Sequence, residues 1–197
     1  GGTAMALTIL PLLENNYVAA ATLVNEEELS TEMITFKGVN GEMKGLLAKP
    51  KNGKNLGSVL VIHENRGLNP HIKEVTKQVA AAGFLALGLD ALSVTGGTPA
   101  DEDIAREEIG KLNPADNLQN FLLGLDYLRK HKDGNGKVGC VGFCWGGRMA
   151  NLLAVNDPKL QAAVAYYGSQ AEVADVPKIK ASLMLHYAGL DERINAG

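Results

Sequence analysis

Apolar residues change their spacing several times along the chain, and each change marks an element. Glu32 to Lys37 and Glu42 to Lys49 read as two extended segments around Asn40-Gly41, a dipeptide suited to a tight hairpin. Gly57 to His63 is a β-branched run bounded by turn residues, the profile of a strand buried on both faces. From Pro70, Ile72, Val75, Val79 and Ala82 recur at helical spacing, and Gly83 stands where helices favour glycine. Phe84 to Leu89 returns to strand, and Ala91 to Pro99 is irregular. The acidic trio Asp101-Glu102-Asp103 suits a helix start. Asn113 caps and Pro114 opens a further helix whose apolar face is Leu118, Phe121, Leu122, Leu125 and Leu128. Asp133 to Gly136 is a turn, and Lys137 to Phe143 a strand. Trp145 to Val155 reads as helix, Gln161 to Tyr167 and Lys180 to Tyr187 as strands. Strands alternating with helices through short loops predict one α/β domain. Its sheet is mostly parallel, with an N-terminal antiparallel hairpin and helices on both faces.

Composition narrows the function classes. A chain of 197 residues, 46% hydrophobic and 21% charged, suffices for one domain that buries roughly 70% of its unfolded surface. A net charge of −3 gives no strongly basic face, so neither nucleic acid nor an anionic membrane is an expected partner. No apolar run reaches the roughly 18 residues of a spanning helix. Two cysteines, Cys140 and Cys144, are too few for a disulfide framework, and their spacing fits neither a zinc pair nor a C-x-x-C redox pair. Gly134-x-Gly136-x-x-Gly139 has dinucleotide spacing but precedes a strand, so it carries no such meaning. No cofactor and no metal site are expected.

Residues 1–31 stand apart from the domain at 32–197. Gly1-Gly2-Thr3-Ala4 reads as a tag scar before Met5. The apolar stretch that follows is either a surface-packed arm or the remnant of an export signal without its basic start. The expected location is accordingly cytoplasmic, or periplasmic on the second reading.

Ligands of parallel α/β sheets sit beyond the carboxyl ends of the strands. Three segments there carry candidate chemistry. Gly142-Phe143-Cys144-Trp145-Gly146-Gly147 has the nucleophile-elbow pattern with cysteine at the reactive position. Small residues two before and two after let strand and helix approach, and the Trp145 amide at the helix N-terminus is placed to hold an oxyanion. After the strand ending at His63, Glu64 can face the nucleophile and the Asn65 amide can supply a second oxyanion donor. After the last strand, Asp191 fits the acid of a nucleophile–acid–histidine order. Cys140, mid-strand, reads as core.

These segments, written out as VLVIHENRGLNPHI, VGCVGFCWGG and AGLDERINAG, resemble the dienelactone hydrolase family, α/β-hydrolases with a cysteine nucleophile. The resemblance runs from about Glu32 to Gly197. It implies that Cys144 attacks, that Asp191 is the triad acid, and that Glu64 holds the resting thiol and helps to deprotonate it. It also implies an oxyanion hole from the Asn65 and Trp145 amides, and a small ester or lactone as substrate. Two features depart from the family. Leu92-Ser93-Val94-Thr95 stands where the family has a substrate-binding arginine, which leaves Arg66 and Arg148 as substitute charges. The family's triad histidine lies beyond the acid, and no histidine follows Asp191 here. Of the four histidines, His63 is nearest the site, but strand alternation turns it away from Glu64. His71 reads as solvated in the first turn of its helix, His131 as a partner of a helix C-terminal dipole, and His186 as core or interface. The sheet is then expected to lack the family's last strand, leaving 180–187 as an edge through which a homodimer forms or a partner chain supplies missing groups. A hydrolase of the dienelactone type is the expected function, with a non-catalytic binding or interaction module of the same fold as the alternative.

Overall fold

The computed structural model describes residues 24–196, so the predicted N-terminal arm falls outside the described residues. Seven strands form one sheet in the order β1-β2-β4-β3-β5-β6-β7. The hairpin β1 (Leu29–Lys37) and β2 (Glu42–Pro50) is antiparallel, and β2 pairs antiparallel with β4 (Leu85–Asp90). All other pairs, among β3 (Leu56–Ile62), β4, β5 (Gly134–Phe143), β6 (Ala162–Tyr166) and β7 (Ser182–His186), are parallel.

The helices sort onto two faces by the side chains they share with alternate strand positions. On one side Leu60, Ile62, Leu87 and Cys140 pack with Ile109 of α2 (Glu102–Lys111), with Phe121 and Leu125 of α3 (Pro114–Lys130), and with α4 (Trp145–Asn156). On the other, Val59, Val61 and Val141 meet Ile72, Val75 and Val79 of α1 (Pro70–Ala81). A single turn, α5 (Glu192–Asn195), follows β7. Asn113 caps α3 and Gly83 sits just beyond α1 at φ 96°, as predicted, and Asn69 and Asp101 likewise accept backbone N–H groups at the start of α1 and α2.

Several boundaries differ from the sequence expectation. β1 begins three residues early because Leu29 pairs with Pro50. β5 begins inside the predicted turn, where Gly134 pairs with Leu56. Ala91 to Thr95 forms a 3-10 turn in the stretch read as irregular. There the Asp90 carboxylate accepts from the Leu92 amide at 2.9 Å, from the Thr98 amide at 3.0 Å and from the Thr98 hydroxyl at 2.8 Å. His131, expected as a partner of the α3 C-terminal dipole, is the C-cap of that helix; its Nδ1 accepts the Asp133 amide, 3.2 Å away, and burial pushes its pKa down.

Beyond β3 the chain passes to one side of the sheet, through β4, and from β5 onward to the other. Such a reversal leaves a crevice between neighbouring strand ends. Ile62 pairs with Gly142, so Glu64 and Cys144, each two residues further on, leave adjacent strands at the same level. Phe143 pairs with Tyr166, which brings Tyr167 level with the same point. The outer edge of β7 carries no strand among the described residues, and Leu183 and Leu185 are exposed on it.

Candidate active site

Cys144 joins β5 to α4 at φ 53° and ψ −112°, a conformation that an L-residue adopts only under constraint. Its amide donates to the Tyr166 carbonyl at 2.9 Å, and its own carbonyl accepts the Arg148 amide at 3.1 Å, closing the first turn of α4. Two glycines permit this bend. A Cβ on Gly142 would lie 1.9 Å from the Gly146 carbonyl oxygen, and one on Gly146 would lie 2.4 Å from the His63 carbonyl oxygen. The thiol is half-buried, within reach of solvent. Trp145 is the first residue of α4, so its amide has no acceptor within the helix and is free for an oxyanion.

Glu64 faces the same crevice, where its Oε1 accepts the Tyr167 hydroxyl at 3.3 Å. Burial, then the charge of Glu64 and the hydrogen bond to it, push the Tyr167 phenol well above its usual range, so it remains a donor at any ordinary pH. Tyr167 is itself left-handed, φ 41°, immediately after β6. The sequence pattern alone places it in a strand. Only the tertiary position of the β6 exit reveals that it steadies this carboxylate, and among the described residues no hydrogen bond joins the carboxylate to the Cys144 thiol.

His63 is not a base of the site. It is fully buried, its Nδ1–H donates to the Glu64 carbonyl at 2.5 Å, and the Ala91 amide donates to its Nε2 at 3.1 Å. Its ring stacks on Trp145 at 5.3 Å and 5°, and Phe121 meets the same indole edge-on. The imidazole is therefore a neutral strut that fixes the Glu64 backbone and the Trp145 ring. Burial outweighs its hydrogen bond to Glu64 and the charge of Asp90, so its pKa lies below the ordinary value near 6.5. A depressed histidine pKa means that the unfolded chain takes up the proton first. The stability it contributes is complete above about pH 6.5 and is lost as pH falls. We expect an unfolding free energy that drops by as much as about 1.4 kcal/mol per pH unit below that point, to which His131 adds a smaller share. Denaturant titrations at several pH values should show this slope flattened by about one proton in His63→Gln.

The remaining predicted residues separate. Asp191 lies beyond β7 and caps α5, accepting the Ile194 amide at 3.1 Å. Gln170, in the loop after β6, donates to the Ile194 carbonyl at 2.8 Å and ties α5 to that loop. No histidine stands beside this carboxylate among the described residues: His186 is in β7, stacked on Tyr166 at 4.5 Å. Arg66 is already engaged, 3.7 Å from the Glu102 carboxylate and 3.3 Å from the Asn65 side-chain oxygen. Arg148 instead lines a cavity of about 340 Å³ beside the elbow, together with Asn65 and Trp145. Cys140 is fully buried, and burial drives its thiol pKa far up, as expected of a core cysteine. Among the described residues no cluster of histidine, cysteine and acidic side chains could hold a metal.

A family model for the dienelactone hydrolase family matches residues 43–197, from β2 to the last residue. The chain belongs to the dienelactone hydrolase family. One relative is YghX of Escherichia coli (strain K12), provisionally named a hydrolase fragment, 42% identical over 113 residues that make up 55% of this chain and 97% of YghX. A second protein of that strain, provisionally named a carboxymethylenebutenolidase, is 35% identical over 157 residues, covering 76% of this chain and 57% of that relative. The chain thus spans little more than half the length of the latter. The crystal structure of the dienelactone hydrolase from Anabaena variabilis ATCC 29413 has the same fold, with a TM-score of 0.66 and 24% identity over 86% of this chain and 78% of that one. Dienelactone hydrolase membership accords with the elbow and with the order of the strand-end groups.

Proposed function

We propose that this chain cleaves a small ester or lactone through Cys144. The observation that carries the reading is the left-handed, half-exposed cysteine at the strand–helix bend, opposite a carboxylate that a tyrosine holds in place. Glu64 takes the thiol proton as the sulfur adds to the carbonyl carbon. The oxyanion is held by the amides of Trp145 and Asn65. Collapse of the tetrahedral adduct breaks the C–O bond, and Glu64 returns the proton to the leaving oxygen. A thioester on Cys144 remains; the regenerated Glu64 carboxylate draws a proton from the water that adds to it, and as the C–S bond breaks that proton passes to the departing Cys144 sulfur, restoring both groups. A carboxylate is a weaker base than histidine at neutral pH, so the second step is the slower one. Mixing the 197-residue polypeptide with p-nitrophenyl acetate should give a burst of nitrophenol close to one per chain, with one acetyl group found on Cys144 by peptide mass. An acetyl group elsewhere, or none with steady turnover, refutes the assignment.

Self-association belongs to the same proposal. Ser182-Leu183-Met184-Leu185-His186 presents an edge without charge, proline or bulge, which are the usual guards of such strands. A second copy pairing antiparallel would set Leu183 and Leu185 of both chains side by side about a two-fold axis. Sedimentation should show a dimer at micromolar concentration that Leu185→Lys converts to monomer. A monomer at all concentrations would remove the dimer.

A further inference from the structure

One buried side chain joins three segments around the crevice without exchanging a proton there. The His63 ring reaches the Glu64 carbonyl just after β3, the Ala91 amide just after β4, and the indole of Trp145 at the start of α4. Its bond to Glu64 also governs the next residue. The Glu64 carbonyl and the Asn65 N–H belong to one peptide unit, which is trans and planar, so the two point in opposite directions. A donor that fixes the carbonyl therefore fixes the line of the Asn65 N–H and turns it away from the ring. That N–H has no acceptor among the described residues. Trp145, whose amide is the second free donor, has its indole held flat against the same imidazole, with Phe121 closing it edge-on. Only one protonation state makes both hydrogen bonds of the ring. Nε2 must be bare to accept from Ala91, and Nδ1 must carry the proton it shares with Glu64. In the imidazolium both nitrogens are donors, so Nε2–H would confront the Ala91 N–H and the ring would have to turn out of one bond or both.

We propose that His63 is the positioning residue of the oxyanion hole, aiming the Asn65 N–H through the Glu64–Asn65 peptide and doing so only as the neutral imidazole. The inference deepens the ester-cleavage reading and rests on it for a reaction to measure, whereas the aim of the amide rests on the hydrogen bonds alone. Burial favours the neutral ring, against the bond to the Glu64 carbonyl and the charge of Asp90 at the end of β4. The other titratable or charged groups on the elements packed against it are Glu64 on its own segment and Cys144 and Arg148 at the start of α4, while α3 presents the apolar Phe121.

Two replacements separate aiming from packing. His63→Gln can donate to Glu64 through its amide nitrogen and accept from Ala91 through its oxygen, yet it cannot ionise, whereas His63→Leu fills space and makes neither bond. The nitrophenol burst from p-nitrophenyl acetate gives the acylation rate and the half-saturating ester concentration. At pH 7.5 His63→Leu should acylate about 100-fold more slowly, the scale of losing one oxyanion donor, with half-saturation within about twofold of the parent. His63→Gln should recover the rate to within about fivefold of the parent. Acid supplies a second test that does not depend on His63→Leu folding. An imidazolium stacked on indole quenches its emission, and Trp145 is the single tryptophan of the chain. Parent fluorescence should therefore fall in a one-proton step below about pH 6.5 that His63→Gln lacks. The ratio of parent to His63→Gln acylation rates, in which the titration of Glu64 cancels, should fall with the same midpoint. An undiminished rate in His63→Leu, or a rate ratio that stays constant across the fluorescence step, overturns the inference. A loss in His63→Leu restored in His63→Gln, with ester cleaved but no acetyl group on Cys144, would keep His63 and remove the nucleophile assignment. Acetylated Cys144 with a constant ratio would do the reverse, and no cleavage by the parent overturns both.

Discussion

Replacing Cys144 by alanine lowers kcat/KM for p-nitrophenyl acetate by about four orders of magnitude and leaves the thermal midpoint within a degree or two of the parent. The size of the effect follows from removing the atom proposed to form the covalent bond. What survives is the smaller acceleration from binding and from the two amides. Serine at the same position restores little, because a hydroxyl opposite a carboxylate is a far poorer nucleophile than a thiolate at neutral pH. The stability half of the prediction rests on the position of the side chain, half-exposed at the crevice and outside the packed layers. Iodoacetamide gives an independent measure, since it should modify the protein once, at Cys144. Cys140, fully buried and with its thiol pKa driven up, should stay unmodified until the protein unfolds. Alkylation of both thiols at equal rates in native buffer would show that the sheet does not shield Cys140. Full esterase activity in Cys144→Ala would end the covalent mechanism.

Gly146→Ala destabilises the protein by about 3 kcal/mol or more and abolishes activity even in the fraction that folds. The added Cβ would stand 2.4 Å from the His63 carbonyl oxygen and 2.5 Å from that of Ile62, both of them backbone atoms that no rotamer change can move aside. Relief requires α4 to withdraw from the end of β3, and overpacking of this kind costs about 1–3 kcal/mol or more. The withdrawal also parts the Trp145 amide from the segment bearing Glu64 and Asn65, so the damage reaches chemistry and stability together. Gly142→Ala meets the same contact from the strand side, 1.9 Å from the Gly146 carbonyl oxygen, and should be at least as severe. Gly110, whose added Cβ would meet nothing within 4 Å, is the control, and Gly110→Ala should be neutral or slightly stabilising. Urea denaturation of the three variants decides the matter, and a Gly146→Ala protein as stable as its parent would contradict the close approach.

The order of elements was legible because each depends on local rules. A β-branched run, a capping asparagine before proline and a glycine after a helix act within a few residues, and the structure places β3, α1 and α3 close to where those signals put them. The elbow was legible for a related reason: Gly142, Cys144 and Gly146 belong to one continuous bend. What escaped depends on residues far apart in sequence. The early start of β1 needs Pro50 opposite Leu29. The 3-10 turn after β4 needs the Asp90 side chain to gather Leu92 and Thr98 amides. Tyr167 looked like a strand residue, and its bond to Glu64 spans 103 positions of the chain. Arg106 and Asn117 sit on two different helices, and no spacing rule brings them to one cavity with Arg148. Of the two arginines read as substitute charges, Arg66 turned out to be held by Glu102, and only the fold could separate it from Arg148.

Two neighbouring strands end in non-glycine residues with positive φ, Cys144 after β5 and Tyr167 after β6. Glycine at either place would relax the main chain by about 1–2 kcal/mol and would erase the sulfur or the phenol that the crevice is built around. An engineer seeking heat tolerance would therefore find the easiest gains at the two positions where taking them disarms the molecule. Hardening has to begin at the rim, for instance by masking the outermost strand, while the tension at its centre is left in place.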